Sequence, residues 1–124
     1  MNWSATGAIL LALAVVIGAF GAHGLRERLD SLGAASIYEK AVFYHFIHAL
    51  GILVVAILAR TGTFPEAGVD WVCGLLLAGI VFFSGSLYLL AVTGNRGLGA
   101  ITPIGGVLFI AGWVLLAWRL RRIL

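Results

Sequence analysis

Charge is scarce in this chain. Only 10% of its 124 residues are Asp, Glu, Lys or Arg, where a soluble domain carries about a quarter. Residues 1–25 hold no charged side chain, and no Asp or Glu falls in the middle of a long apolar run. Cysteine is limited to Cys73, which excludes an intramolecular disulfide and a cysteine-based zinc cage. In its apolar setting Cys73 reads as a small buried hydrophobe. A basic segment ahead of the first apolar run is missing, which argues against a cleaved secretory signal. A complete catalytic set is missing too: Ser84-Gly85-Ser86 does not sit in a strand–turn–helix pattern, so it is no nucleophile elbow.

What fills the chain is apolar. Hydrophobic residues make up 62% and mean hydropathy is +1.11. No soluble chain of this length has interior enough to bury so much apolar surface, so the bilayer is its solvent. Seventeen glycines fit close helix packing in lipid. The net charge of +3 is spread between apolar runs. That pattern is a poor phosphate footprint and suits membrane flanks, so nucleic acid is not expected as a partner.

Hydropathy and helix signals predict one membrane domain, residues 1–124, with four spans near 3–24, 36–59, 69–93 and 102–120. Trp3 and Trp71 occupy interfacial anchor positions. Leu25, Leu29 and Leu32 recur at helical spacing among Arg26, Glu27, Arg28 and Asp30. The segment to Ala35 is either a short amphipathic helix at the interface or a solvated loop. Ser36 with Glu39, and Thr63 with Glu66, match capping boxes for spans 2 and 3. Thr102-Pro103 reads as the cap and first residue of span 4, and Gly94 stops span 3. Gly74, Ala78 and Gly85 form a small-residue stripe on span 3, and Gly105, Gly106 and Gly112 one on span 4. An even span count puts both termini on one side. Arg60, Arg119, Arg121 and Arg122 flank that side, and Arg26, Arg28, Lys40 and Arg96 the other. The tie sets no orientation.

The chemistry concentrates on span 2. Tyr38, Ala41, His45 and His48 share one helical face, and a polar face at membrane depth must turn toward protein or water. The expected inward cluster is His23, Tyr38, Tyr44, His45, His48, Ser84, Ser86, Tyr88 and Thr102. Tyrosines in such spans are also ordinary interfacial anchors or interhelical donors. Serines there ordinarily bond a backbone carbonyl or a neighbouring helix. Arg96, Arg119, Arg121 and Arg122 can contact lipid phosphate or simply snorkel.

Four ordered motifs carry a family resemblance. They are Gly18–Leu25, Tyr38–Leu50, Phe83–Leu90 with Thr93-Gly94, and Thr102–Gly106 with Gly112-Trp113. Together they resemble the YgdD-like family of small four-span membrane proteins, domain of unknown function four-two-three, which has relatives in animal mitochondria. The resemblance implies a bacterial inner-membrane protein with an uncleaved first span. It implies no activity.

The expectation is therefore an all-α integral membrane protein, a four-transmembrane-helix bundle with a short amphipathic segment between helices 1 and 2. No enzyme activity, cofactor or metal is expected. Its role would be that of a scaffold, accessory subunit or lipid-contacting bundle, with membrane lipids, copies of itself or a larger membrane complex as partners. Two alternatives stand. One is an oligomeric transporter or channel with a His-lined pathway, although proton-coupled carriers usually add a carboxylate at mid-span. The other is haem or metal held by His23, His45 and His48, which would need further ligands and an oriented surround.

Overall fold

The structure, a computed structural model, describes residues 1–123; Leu124, the last residue of the expected domain, lies outside them. The chain forms helix α1 (Trp3–Ala22), a six-residue helix α2 (Arg26–Ser31) and α3 (Ala35–Arg60). Helix α4 (Glu66–Gly79) then runs through a π-helical turn, Ile80–Ser84, into α5 (Gly85–Thr93). A 3-10 turn, Arg96–Ala100, leads into α6 (Thr102–Arg121). Four rods are long and apolar enough to cross a membrane: Trp3–Ala22, Ala35–Arg60, Glu66–Thr93 and Arg96–Arg121. With its 3-10 entry, the last rod is as long as the second.

Helix ends depart from the expected caps. Asn2 caps α1 by accepting the Ala5 N–H. At α3 the chain reverses through Gly33, whose φ of 62° suits glycine, and the Ala34 N–H bonds the Leu29 carbonyl. The helix thus starts at Ala35, and Ser36 is already inside its first turn, so the Ser36–Glu39 box does not form. Pro65 takes the cap position of α4 without a side-chain bond, and the Thr63 hydroxyl faces that of Thr61, so the second box does not form either. Thr102 is the first residue of α6 rather than its cap. Gly94, at φ 74°, ends α5 as expected.

Helix α3 is the hub, packing against α1, α4 and α5, while α6 packs against α4 and the π turn. Helices α1 and α3 run antiparallel. Gly7 meets the Leu53 backbone, Gly18 meets Val42, and Gly21 lies under the Tyr38 ring. Gly79 meets Phe109, Gly105 presses on the Phe83 backbone, and Gly112 meets Leu76. The expected stripe on span 3 is displaced. Gly74 faces open space and Gly85 touches only its own helix, because the buried face of α4 runs through Gly68, Val72, Leu76 and Gly79. Ile52, Val55, Val72 and Leu76 form the core. The outer surface is apolar as well, with Phe43, Val81, Val107, Ile110 and Val114 all more than half exposed. Water would not tolerate so large an apolar surface; lipid does.

Helix α2 is shorter than its expected segment. Leu29 is buried, whereas Leu32 is 38% exposed. The Arg28 Nε–H donates to the Val92 carbonyl at 2.7 Å, at the negative end of α5. The helix is therefore fastened to the third rod, not merely laid on the interface.

Candidate functional site

The helical spacing on α3 carries through into space. Tyr38, Ala41, His45 and His48 all lie on its buried face. Each then meets a different neighbour. The Tyr38 hydroxyl donates to the Ile17 carbonyl of α1 at 2.6 Å. The Ser84 hydroxyl, at the end of the π turn, donates to the Ala41 carbonyl at 2.8 Å. His45 Nδ1 pairs with the Tyr88 hydroxyl of α5 at 2.8 Å. Tyr38 and Tyr88 also hold ring contact, with centroids 5.4 Å apart. Farther along, Ser86 donates to the Phe83 carbonyl and pairs with the Thr102 hydroxyl of α6 at 2.6 Å. These bonds make a polar seam joining all four rods.

His48 is used differently. Its Nδ1 lies 2.7 Å from the Tyr44 carbonyl of its own helix. A carbonyl only accepts, so Nδ1 carries the proton. The ring stacks on Phe109, with centroids 3.5 Å apart, and lies beside Tyr44 and Trp113. His48 is thus part of an aromatic stack between α3 and α6, not an inward hydrogen bond to another helix. Tyr44 belongs to that stack through Phe83 and Phe109. It sits at the bundle surface, 36% exposed, outside the hydrogen-bonded seam.

His23 does not join the cluster. It follows the last residue of α1, where the chain turns outward toward α2, and it is exposed beside Val15, Phe20 and Gly24. Among the described residues no three His, Cys, Asp or Glu side chains gather within reach of one metal ion. The alternative of haem or metal held by His23, His45 and His48 together is not supported by this placement, because His23 is exposed beyond α1 while His45 and His48 lie on the buried face of α3. One atom of the seam stands apart. His45 is 3% exposed, and its Nε2 completes no hydrogen bond to a described residue, although the Leu10 backbone of α1 lies beside the ring.

The four candidate phosphate contacts separate as well. Arg96 and Arg121 are exposed. Arg122 lies over the Trp118 ring, 4.4 Å from its centroid. Arg119 folds inward across Gly68, so its guanidinium is partly withdrawn from the membrane surface. Three features escaped sequence reading. The Trp3 indole N–H donates to Asp70 at 2.6 Å, tying α1 to α4 across a long sequence separation that leaves no local signal. Arg28 on the Val92 carbonyl is a second. The third is the π turn, since nothing in Ile80–Ser84 marks a widened turn.

Fold and seam together define an all-helical, four-span membrane protein whose polar groups turn inward. Residues 17–106 match the family model described as "Protein of unknown function (DUF423)", and the chain belongs to that family. It is 54% identical over 110 residues to a UPF0382 membrane protein of Staphylococcus saprophyticus, covering 89% of this chain and 88% of that one. It is 49% identical over 114 residues to the UPF0382 membrane protein YwdK of Bacillus subtilis, covering 89% and 88%. No solved structure matches the chain.

Proposed function

We propose that this chain is a non-enzymatic, lipid-contacting bundle that serves as a scaffold or accessory subunit in the plasma (inner) membrane of a bacterium. Its partners are membrane lipids and either further copies of itself or a larger membrane complex. The observation that carries this reading is how the polar side chains are engaged. Tyr38, Ser84, His45 with Tyr88, and Ser86 with Thr102 each bond across two rods. Groups already committed to helix–helix bonds hold a structure together and are poorly placed to turn over a substrate. The bacterial setting is supported by the organisms of the relatives, each named a membrane protein.

One observation favours a second reading, proton or ion movement through an oligomer. The Nε2 of His45 is buried inside a span without a completed hydrogen bond, with the Leu10 backbone beside the ring, and intramembrane ionisable groups commonly mark ion paths. Proteoliposomes holding the purified chain separate the two. The scaffold reading expects a proton and cation leak equal to that of empty vesicles. A leak that appears with the chain and vanishes in His45→Phe would establish transport instead.

A further inference from the structure

The α1–α3 pair carries a second feature, away from the polar seam. Small residues on α1 (Gly18, Gly21 and Ala22) leave a groove of about 410 Å³ against α3, reaching as deep as Ile47. Its walls are apolar except at the mouth, which Arg26 and Glu39 line together. The groove opens toward lipid, since Phe43 and Ile47 on its rim are 62% and 41% exposed. From Glu39 to Ile47 the helix rises about 12 Å, at about 1.5 Å per residue. That is close to the ~15 Å of hydrocarbon in one leaflet. A slot of one-leaflet depth with charge only at its interfacial end fits an acyl chain below a headgroup.

The charges identify the headgroup. Residues 26–40, the segment that supplies the mouth, hold three cations (Arg26, Arg28 and Lys40) and three anions (Glu27, Asp30 and Glu39), so this segment by itself offers no net attraction to an anionic lipid. Arg26 reaches Asp30 through Nε alone, at 3.2 Å in an exposed pair. The other guanidinium N–H groups remain to bind phosphate. Glu39 has no ion-pair partner among the described residues, and it accepts hydrogen bonds from an ammonium. We propose that the groove holds one acyl chain of a phospholipid whose headgroup carries both a phosphate and a primary amine, the phosphate at Arg26 and the amine at Glu39. This rests on the lipid-contacting reading above and names the lipid and its seat.

The test uses the full chain in detergent, equilibrated with equal amounts of phosphatidylethanolamine, phosphatidylglycerol and phosphatidylcholine, with retained lipid read by native mass spectrometry. Phosphatidylethanolamine should be retained about fivefold over each of the others, the worth of one exposed ion pair. Ala22→Phe, at an exposed position, fills the groove and should abolish retention. Glu39→Lys, on the helix surface, should turn the preference toward phosphatidylglycerol without filling anything, and Val107→Phe on α6 should change nothing. Equal retention of the three lipids would overturn the proposal, as would a preference indifferent to Ala22→Phe and Glu39→Lys. A lipid-free dimer that Ala22→Phe dissociates would overturn it by showing a second copy in the groove. Vesicle flux through the wild-type chain would defeat the scaffold reading and leave these ratios untouched.

Discussion

His48 stacks on Phe109 while its Nδ1 bonds a carbonyl of its own helix, so its ring shape matters to the bundle more than its basicity. His48→Leu should lower unfolding free energy in detergent by about 1–3 kcal/mol, through the lost stack and hydrogen bond. His48→Phe keeps a flat ring and should lose clearly less; equal losses in the two variants would argue against the stack. Ser84 is fully buried and bonds the Ala41 carbonyl. Ser84→Ala should lose about 1 kcal/mol, and an unchanged melting curve would show that this bond is not holding the π turn to α3. At this scale the helical spacing of Tyr38, Ala41, His45 and His48 was legible in the sequence, because period alone fixes a face. Which atom each side chain would meet was not, because partners such as Tyr88 and Ile17 depend on how the rods dock. His23 was misplaced for the same reason. It sits where the first span ends, and it lies exposed just past α1.

Between elements, glycine sets how closely the rods approach. Gly105 rests on the Phe83 backbone within the π turn, and backbone cannot swing aside as a side chain can. Gly105→Ala should therefore destabilise by about 1–3 kcal/mol, the usual range for overpacking. Gly74 has nothing near it, so Gly74→Ala should be neutral or stabilising by up to about 1 kcal/mol. Both are read from unfolding in the same detergent, and similar losses in both variants would contradict this docking. Composition announced that glycines would serve as contacts, but not which ones. The stripe Gly74, Ala78 and Gly85 satisfied spacing alone, while the true face of α4 passes through Gly68 and Gly79. Capping boxes failed similarly. Ser36 and Thr63 match a local pattern that the turn at Gly33 and the constraint of Pro65 override.

For the whole molecule, four rods in lipid follow from hydropathy and length, which is why the architecture was the most legible feature. Its orientation is balanced, with four Lys or Arg on each side. Arg121→Gln together with Arg122→Gln leaves two (four minus two) on the terminal side, which should place both termini outside the cytoplasm. A C-terminal reporter that stays cytoplasmic would show that something other than loop charge fixes the topology. The long-range ties, Trp3 to Asp70 and Arg28 to Val92, were invisible in the sequence because they exist only once the rods assemble. The most direct measurement of the central idea, that polar groups at bilayer depth hold the rods together, is a double-mutant cycle on His45 and Tyr88. Unfolding free energies of His45→Phe, Tyr88→Phe and the double variant should give a favourable coupling of about 0.6 kcal/mol or more, the average for interhelical hydrogen bonds in membranes, whose largest values reach about 1.7 kcal/mol. Additive losses with no coupling would contradict the account.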